Sequence, residues 1–445
     1  MKVKSALADK KEKLAEAGIV QWFRTRLART YLVPAFLSFE AANPLSYFGM
    51  LAFICFILLG VTGVLLMVYY VPGITTSYDS VMTINDIIPY AFEMRNLHYW
   101  LANFMIVLSI LHLFYLYFTR KYKLYDEVLW VTGMILGVLT VAVTYTGYVL
   151  IMNMRAMLAL DIGTGILRTI DINLSFLFQG FSYTDTILRM YLLHIVLLPA
   201  VMVVLFIVHF PRKLTLDAPI ILGMTGAAFV VGGLFPVALG LKFIPGQPSM
   251  IIIPEWYLTG IYALLRTGLQ VFAVTVLLPF IFILVLTLVP FHDMQRGLGV
   301  TGRALHATIG VTAMAHIVLV TFWGFTAGDL IHPIITEADL AIDPIVFYAV
   351  LIITALLIFG IARLLMNRRN LSRINFKWLT SDPPKFHLKY STAMLLIGIL
   401  FAFQVLLIMY LFYLQPVGSQ GLAMAESGLT ILAFGAATSI YRAAS

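Results

Sequence analysis

Stretches of about twenty apolar residues, the length that carries a helix across a hydrocarbon core about 30 Å thick, recur ten times in this chain of 445 residues. They fall near 47–70, 96–118, 130–152, 189–210, 218–241, 269–289, 304–326, 344–365, 391–414 and, more weakly, 422–441. With 61% hydrophobic and only 11% charged residues, the chain lies well outside the range of a soluble domain. The expected fold is an all-α integral membrane protein of about ten transmembrane helices.

The basic residues orient these spans. Alternating them across the bilayer puts the amino terminus and the loops near 120, 212, 297 and 375 on one side, where 23 of the 29 Lys and Arg residues fall. The positive-inside rule makes that side cytoplasmic, so a multi-pass cell-membrane protein with both termini in the cytoplasm is expected. No apolar run of a cleavable signal precedes the first span. The stretch from Gln21 to Leu27 mixes aromatic and basic residues, as a helix lying in the inner interface would. Cytoplasmic loops also account for the net charge of +8 without invoking nucleic acid. One cysteine, Cys55, excludes an internal disulfide, a cysteine-built metal site and covalent CxxCH haem attachment, leaving histidines or carboxylates for any metal. The chain divides into an amphipathic segment (1–46), a four-helix part (47–210), a second part (218–366), and a basic loop with two further helices (367–445).

His98 and His112 lie fourteen residues apart on the second span, and His194 and His209 fifteen apart on the fourth. Fourteen residues is four helical turns to within a small rotation, fifteen adds about 100°, and the two members stand about 21 Å apart along the axis. Both spans run from outside to inside, so His98 comes to the depth of His194, and His112 to that of His209. Bis-imidazole ligation of haem iron needs two histidines on facing helices with a flat slot between them. Two haems, one above the other, fit: an outer one on His98 and His194, an inner one on His112 and His209. Gly49 and Gly63 on the first span, and Gly133 and Gly147 on the third, repeat the fourteen-residue spacing. Lacking side chains, they would let a macrocycle approach the backbone, Gly63 and Gly147 at the outer haem, Gly49 and Gly133 at the inner. A lone intramembrane histidine is often a packing residue and a glycine pair often a helix-contact notch; the match of four with four at two depths favours haem. Arg95, one turn before His98, could pair with an outer haem propionate or anchor the interface, and Arg189, five residues before His194, offers the same choice.

On the outer side, between the fifth and sixth spans, runs Ile253-Pro254-Glu255-Trp256-Tyr257. A carboxyl amid apolar and aromatic surface is expected to resist ionisation, because desolvation favours its neutral form. Such a group can take a proton when one is released. Quinol oxidation releases two protons with its electrons, so a base beside the outer haem is the expected partner. A buried, hydrogen-bonded glutamate ending a loop helix is the other reading of Glu255.

Pro254-Glu255-Trp256-Tyr257 matches the PEWY motif of cytochrome b in the quinol:cytochrome c reductase family. Arg95-Asn-Leu-His98, the run from Trp130 to Thr140 and the extra residue between His194 and His209 look most like the plant and cyanobacterial form of that protein. There the chain is split into two subunits, which here are fused; Pro290-Phe291-His292-Asp293 resembles the second piece, and the likeness covers about residues 15–330. The resemblance implies two b-type haems on the four histidines, and an outer quinol pocket containing Glu255 and Tyr257. It also implies a homodimer and a Rieske iron-sulfur partner in a respiratory complex. One electron would go to the Rieske protein and the other through both haems to an inner quinone, coupling oxidation to proton translocation. Activity would belong to the assembly rather than to the chain alone.

Three departures accompany the likeness. Where the family has Pro-Trp-Gly-Gln after the third span, this chain has Ile151-Met152-Asn153-Met154 followed by Arg155, so the wall of the outer pocket is expected to differ. Tyr47 stands where the plant-type protein has the cysteine of an additional covalent haem, and no third haem is expected. The last two spans have no counterpart in the family: they could face lipid as a plain pair, which is the simpler expectation, or dock other respiratory subunits or a terminal oxidase. Asp217 suits either an inner-site proton donor or a helix N-terminus. His292, His306, His316, His332 and His387 have no partner at matched depth and read as interfacial or packing residues. A dihaem anchor exchanging electrons between quinone and a dehydrogenase needs only the histidine core, so the Pro254–Tyr257 motif and the added spans argue against it. A transporter would line its path with intramembrane charges, which are scarce here.

Overall fold

Thirteen helices make up the described part of the computed structural model, which comprises residues 44–120, 122, 127–169, 183–210, 218–244, 251–292, 300–367, 387–414 and 420–444. The interfacial helix expected around residues 21–27 and the basic loop from Arg368 to Lys385 lie outside these residues, as does Asp217. Among the described residues nine helices are long and apolar enough to cross a membrane, and the protein is a multi-pass membrane protein.

The first four spans are α1 (Phe48–Met67), α3 (Ala91–Thr119), α4 (Glu127–Val149) and α6, which runs as Tyr183–Leu192, a π-helical turn Leu193–Leu197, and Leu198–His209. Helix α1 packs along α3, α4 along α6, and α3 meets α4, closing a four-helix bundle. Its middle is filled by Cys55, Leu97, Leu101, Leu136 and Met202, all buried. Two shorter helices, α2 (Thr76–Asp86) and α5 (Met154–Arg168), connect the spans at the end where Glu255 lies. Hydropathy does not reveal them, because 11 and 15 residues of mixed character cannot register as a span.

The fifth apolar stretch yields α7 (Ala218–Leu234), only 17 residues, about 26 Å at the α-helical rise. It stops well before the expected residue 241 because Pro236 lacks an N–H and disfavours helical geometry in the residue before it. Helix α7 packs against α1 and α3 of the front bundle. The remaining spans are α9 (Leu278–His292, entered through a second π turn, Ala273–Leu277), α10 (Val300–Trp323) and α11 (Pro344–Asn367), with the short α8 (Thr259–Arg266) packed on α10. The Trp130 indole N–H donates to the Leu286 carbonyl at 2.9 Å and the Tyr117 hydroxyl to that of His306 at 2.7 Å, tying α9 and α10 to the bundle. Arg266 spends its guanidinium on the carbonyls of Trp323, Thr326, Asp339 and Leu340, stapling the ends of α8 and α10 to the chain entering α11.

The last two helices correct the expectation of a lipid-facing pair. Helix α12 (Tyr390–Leu414) does leave Leu395, Ile399, Phe401 and Leu406 exposed. Helix α13 (Gln420–Ala443) instead lies against α7 with Gly226 and Gly233 facing Gly421 and Gly428, so close that a Cβ at Gly233 or Gly428 would meet the opposite main chain. Met424 buries itself beside Leu97 and Leu101 of α3. Association in lipid depends on close packing and small residues rather than on apolarity, which explains why hydropathy alone placed both helices alike.

Candidate functional site: two histidine pairs and an outer carboxylate

Helices α3 and α6 present their histidines to one another across the bundle. The ring centroids of His98 and His194 are 6.2 Å apart and those of His112 and His209 6.4 Å, with ring planes crossed at 72° and 80°. A metal–imidazole bond of about 2 Å on each side, plus the distance from ring nitrogen to ring centre, brings two axial ligands of one metal to roughly this separation. Among the described residues there is no group of three or more His, Cys, Asp or Glu side chains able to hold a metal. Two-ligand axial binding, as in an iron porphyrin, is therefore what these pairs can support.

The fifteen-residue spacing on α6 is reconciled with the fourteen on α3 by the π turn that contains His194. The Leu198 N–H donates to the Leu193 carbonyl, five residues back, so the turn absorbs one extra residue and His209 returns to the face of His194. Pro199, which has no N–H for the carbonyl of Ile195, favours that irregularity; Pro279 follows the second π turn at the same interval.

Ring orientation is set from α1 and α4. The hydroxyl of Thr62 donates to the Leu58 carbonyl at 2.9 Å and so accepts from His98 Nδ1, also at 2.9 Å. Thr132 donates to Val128 at 2.8 Å and accepts from His209 Nδ1 at 3.2 Å. His194 Nδ1 donates to the Val143 carbonyl at 2.9 Å, with Thr146 at 3.3 Å. In all three the Nδ1 proton is committed, which leaves the Nε2 lone pair for a ligand. Each of these threonines precedes one of the spaced glycines, Gly63, Gly133 and Gly147, whereas Phe48 precedes Gly49. The repeated Thr-Gly pair was the sequence signal that hydropathy and histidine spacing passed over.

The four spaced glycines each stand against one of the histidine rings. A Cβ at Gly49 would meet the ring of His112, at Gly63 that of His98, at Gly133 that of His209 and at Gly147 that of His194. Each glycine thus lies at the depth of one histidine ring, Gly63 and Gly147 beside the His98/His194 pair and Gly49 and Gly133 beside the His112/His209 pair. Helices α1 and α4 can then press against α3 and α6 and hold the rings upright.

Arg95 is buried and tied by Nη1 to the Asn85 side chain and the Val237 carbonyl, both at 2.8 Å, so it braces the segments before α3 and after α7. Arg189 is different: its Nη1 is buried and among the described residues has no hydrogen-bond partner, which leaves a donor for an acidic acceptor near the His98/His194 end.

Glu255 is corrected from a carboxyl among apolar surface to one with polar partners. Its Oε1 lies 2.9 Å from Arg155 Nη1 and its Oε2 accepts from the Tyr99 hydroxyl at 3.0 Å. The carboxylate is 12% exposed and the guanidinium 46%. Arg155 stands in the departing segment after α4 and Tyr99 next to His98; neither could be assigned to Glu255 from the sequence, because they are 100 and 156 residues away. These side chains line a cavity of about 470 Å³ together with Tyr148, Asn153 and Phe235. The Tyr148 hydroxyl is buried and among the described residues has no hydrogen-bond partner. Burial, with Glu255 nearby, holds the Tyr257 phenol well above its ordinary range, so it keeps its proton. A second, larger cavity of about 690 Å³ reaches the same loop at Pro254 and Leu258 and extends past Tyr145 to Gly49, His112, Gly133 and His209.

A helical membrane bundle with two stacked histidine pairs, and a carboxylate loop at one end, defines the class. The chain belongs to the cytochrome b/b6 family. Residues 37–214 match the family model for cytochrome b/b6/petB and residues 245–340 that for the C-terminal part, cytochrome b(C-terminal)/b6/petD, together more than half of the chain. It is 34% identical over 167 residues to cytochrome b6 of Heliomicrobium gestii (36% of this chain, 78% of that one). To cytochrome b6 of Mastigocladus laminosus it is 30% identical over 214 residues, 46% of this chain and 100% of that one. With the cytochrome bc complex cytochrome b subunit of Chlorobaculum thiosulfatiphilum it shares 29% over 252 residues, 49% of this chain and 59% of the relative. A solved chain of a hyperthermophilic respiratory complex III superposes with a TM-score of 0.55 at 19% identity, covering 82% of this chain and all of that one, which bears on the fold alone. Helix α7 falls between the two matched regions, and α11, α12 and α13 lie beyond them.

Proposed function

We propose that the chain is the cytochrome b subunit of a respiratory quinol-oxidising complex, binding one b-type haem between His98 and His194 and a second between His112 and His209. The observation that carries this reading is the two stacked histidine pairs, 6.2 and 6.4 Å between rings, with Glu255 at the end of the upper pair. Bound haems supply one-electron transfer along the bundle axis. The protein's part is to set the four Nε2 atoms, to keep the rings upright through Thr62, Thr132 and the Val143 carbonyl, and to offer the buried Arg189 Nη1 to an acidic haem substituent.

The quinol ring fits the cavity lined by Glu255 and Tyr148, whose 470 Å³ is within the usual range of small-molecule sites. Glu255 takes a proton from the quinol hydroxyl, and Tyr148 in the cavity wall offers a hydroxyl donor that orients the ring; Tyr257 is near Glu255 but outside the lining and supports the site from there. One electron leaves to a Rieske iron-sulfur partner and the other passes inward to a quinone at the opposite face. The half with the basic loops faces the cytoplasm, so protons leave on the outer side. Such a subunit works within an assembly, expected as a homodimer.

Purification of the native complex with haem quantitation and identification of its subunits tests the proposal: two haems per chain and a co-purifying Rieske protein are expected. Two haems without any Rieske protein would replace it with a dihaem anchor. In the intact complex Glu255→Gln is expected to slow quinol oxidation about 100-fold, the usual scale for a positioned base, with both haems retained; unchanged turnover would remove Glu255 from the proton step.

A further inference from the structure

Arg155 opens α5, and the first turn of a helix is an unfavourable place for a cation because the helix dipole is positive there. It is nevertheless rigidly mounted. Asn153 caps the helix, accepting from the Ala156 N–H at 2.8 Å, and its side-chain amide donates to the Leu239 carbonyl at 2.7 Å. The Met154 N–H donates to the Leu241 carbonyl at 2.8 Å. Lys242 is in turn fastened to Asp79 of α2 at 2.6 Å. A half-exposed ion pair adds little to stability, so the pairing of Arg155 with Glu255 calls for another account.

Among the described residues the groups facing Glu255 are Arg155 from α5, Tyr99 from α3, Tyr148 from α4 and Tyr257 from its own loop, and of these Arg155 is the cation. We infer that Arg155 is a positioning residue for quinol oxidation, fixing the Glu255 carboxylate against the polar cavity at the angle where it meets the quinol hydroxyl. The inference rests on the proton role assigned above to Glu255. In the step itself one quinol O–H bond breaks and an O–H bond forms on Glu255; the second hydroxyl proton leaves to water, and the two electrons go to the two one-electron acceptors proposed above. The ion pair opens as the carboxylate is neutralised, and Arg155 keeps its charge throughout. When Glu255 passes the proton to water on the exposed side of Arg155, the pair re-forms and the base returns to its starting position. The segment that departs from the family at the pocket wall thus supplies a support for the loop glutamate.

The intact complex carrying Arg155→Gln, Arg155→Lys, Glu255→Gln or both Gln changes tests this. Arg155→Gln is expected to lower kcat at least tenfold with KM for quinol and both haem spectra unchanged, in line with the cost of misplacing a reacting group. Arg155→Lys, which keeps the charge, should restore turnover to within about twofold of the parent, by the same positioning argument. The double variant should be no slower than Glu255→Gln alone, since groups acting as one unit are not additive. In a cryo-EM map, Glu255 should lie where it does in the parent for Arg155→Lys, and elsewhere for Arg155→Gln. A raised KM with normal kcat, a failure of lysine to rescue, or a double variant slowed by the product of the two single effects overturns the inference. So does an unmoved Glu255. Normal turnover in Arg155→Gln beside a slow Glu255→Gln removes Arg155 alone, whereas normal turnover in Glu255→Gln removes the proton role on which it rests. If Arg155→Gln fails to retain haem, the lysine variant decides, and a tenfold loss there counts against the role.

Discussion

At Gly147 a Cβ would lie 2.5 Å from His194 Cε1 and 3.0 Å from both ring nitrogens, whereas at Gly63 the nearest atom of His98 would be 3.3 Å away. The first ring has nowhere to go, since its Nδ1 is held by the Val143 carbonyl of the same helix that carries Gly147. Gly147→Ala is therefore expected to push His194 off its position and lower the haem content from two per chain to one, while Gly63→Ala keeps both. Pyridine haemochrome spectra against protein concentration measure this; equal retention would mean that the rings are held from elsewhere. The histidines and glycines could be found by spacing because the two members of each pair lie on one continuous helix, separated by about four turns. Arg155 and Tyr99 could not be linked to Glu255, since nothing in a one-dimensional pattern brings α3, α5 and the loop before α8 together.

At the scale of the element, the π turn in α6 makes a sharper test than any point change. Deleting Val196 would remove the extra residue within the turn and leave His194 and His209 fourteen apart on a plain helix, the spacing of His98 and His112. Deleting Val204 also leaves fourteen residues but keeps the π turn, which rotates His209 by about 100° away from His112. Two haems are expected after the first deletion and one after the second; the reverse result, or none, would mean that the turn does not set the register. Between α7 and α13 the contact is backbone on backbone, so Gly233→Leu is expected to destabilise by about 1–3 kcal/mol, the usual range for overpacking. Gly398→Leu on α12, where a Cβ would meet nothing within 4 Å, should be neutral. Thermal unfolding in detergent compares them.

At the scale of the molecule, sidedness can be read with thiols, because the single cysteine is buried. In a Cys55→Ala background, Glu337→Cys is expected to react with an impermeant maleimide in intact cells, and Tyr441→Cys only after permeabilisation. The opposite pattern would invert the orientation and place Glu255 on the cytoplasmic face.

What the amino-acid sequence determined by itself was everything that repeats with the period of a helix or depends on composition: the apolar spans, the charge asymmetry of the loops between them, and the histidine and glycine ladder. These depend on neighbours within one helix and on the cost of placing charge or open backbone in lipid. The tertiary structure decided the rest. It put histidine rings over the glycines, gave Glu255 a cation and a phenol as partners, ended α7 at 17 residues, and drew α13 onto the front bundle. Each of these depends on which surfaces meet across many residues of chain, and in lipid, where every helix is apolar, only close packing and buried polar contacts choose between neighbours.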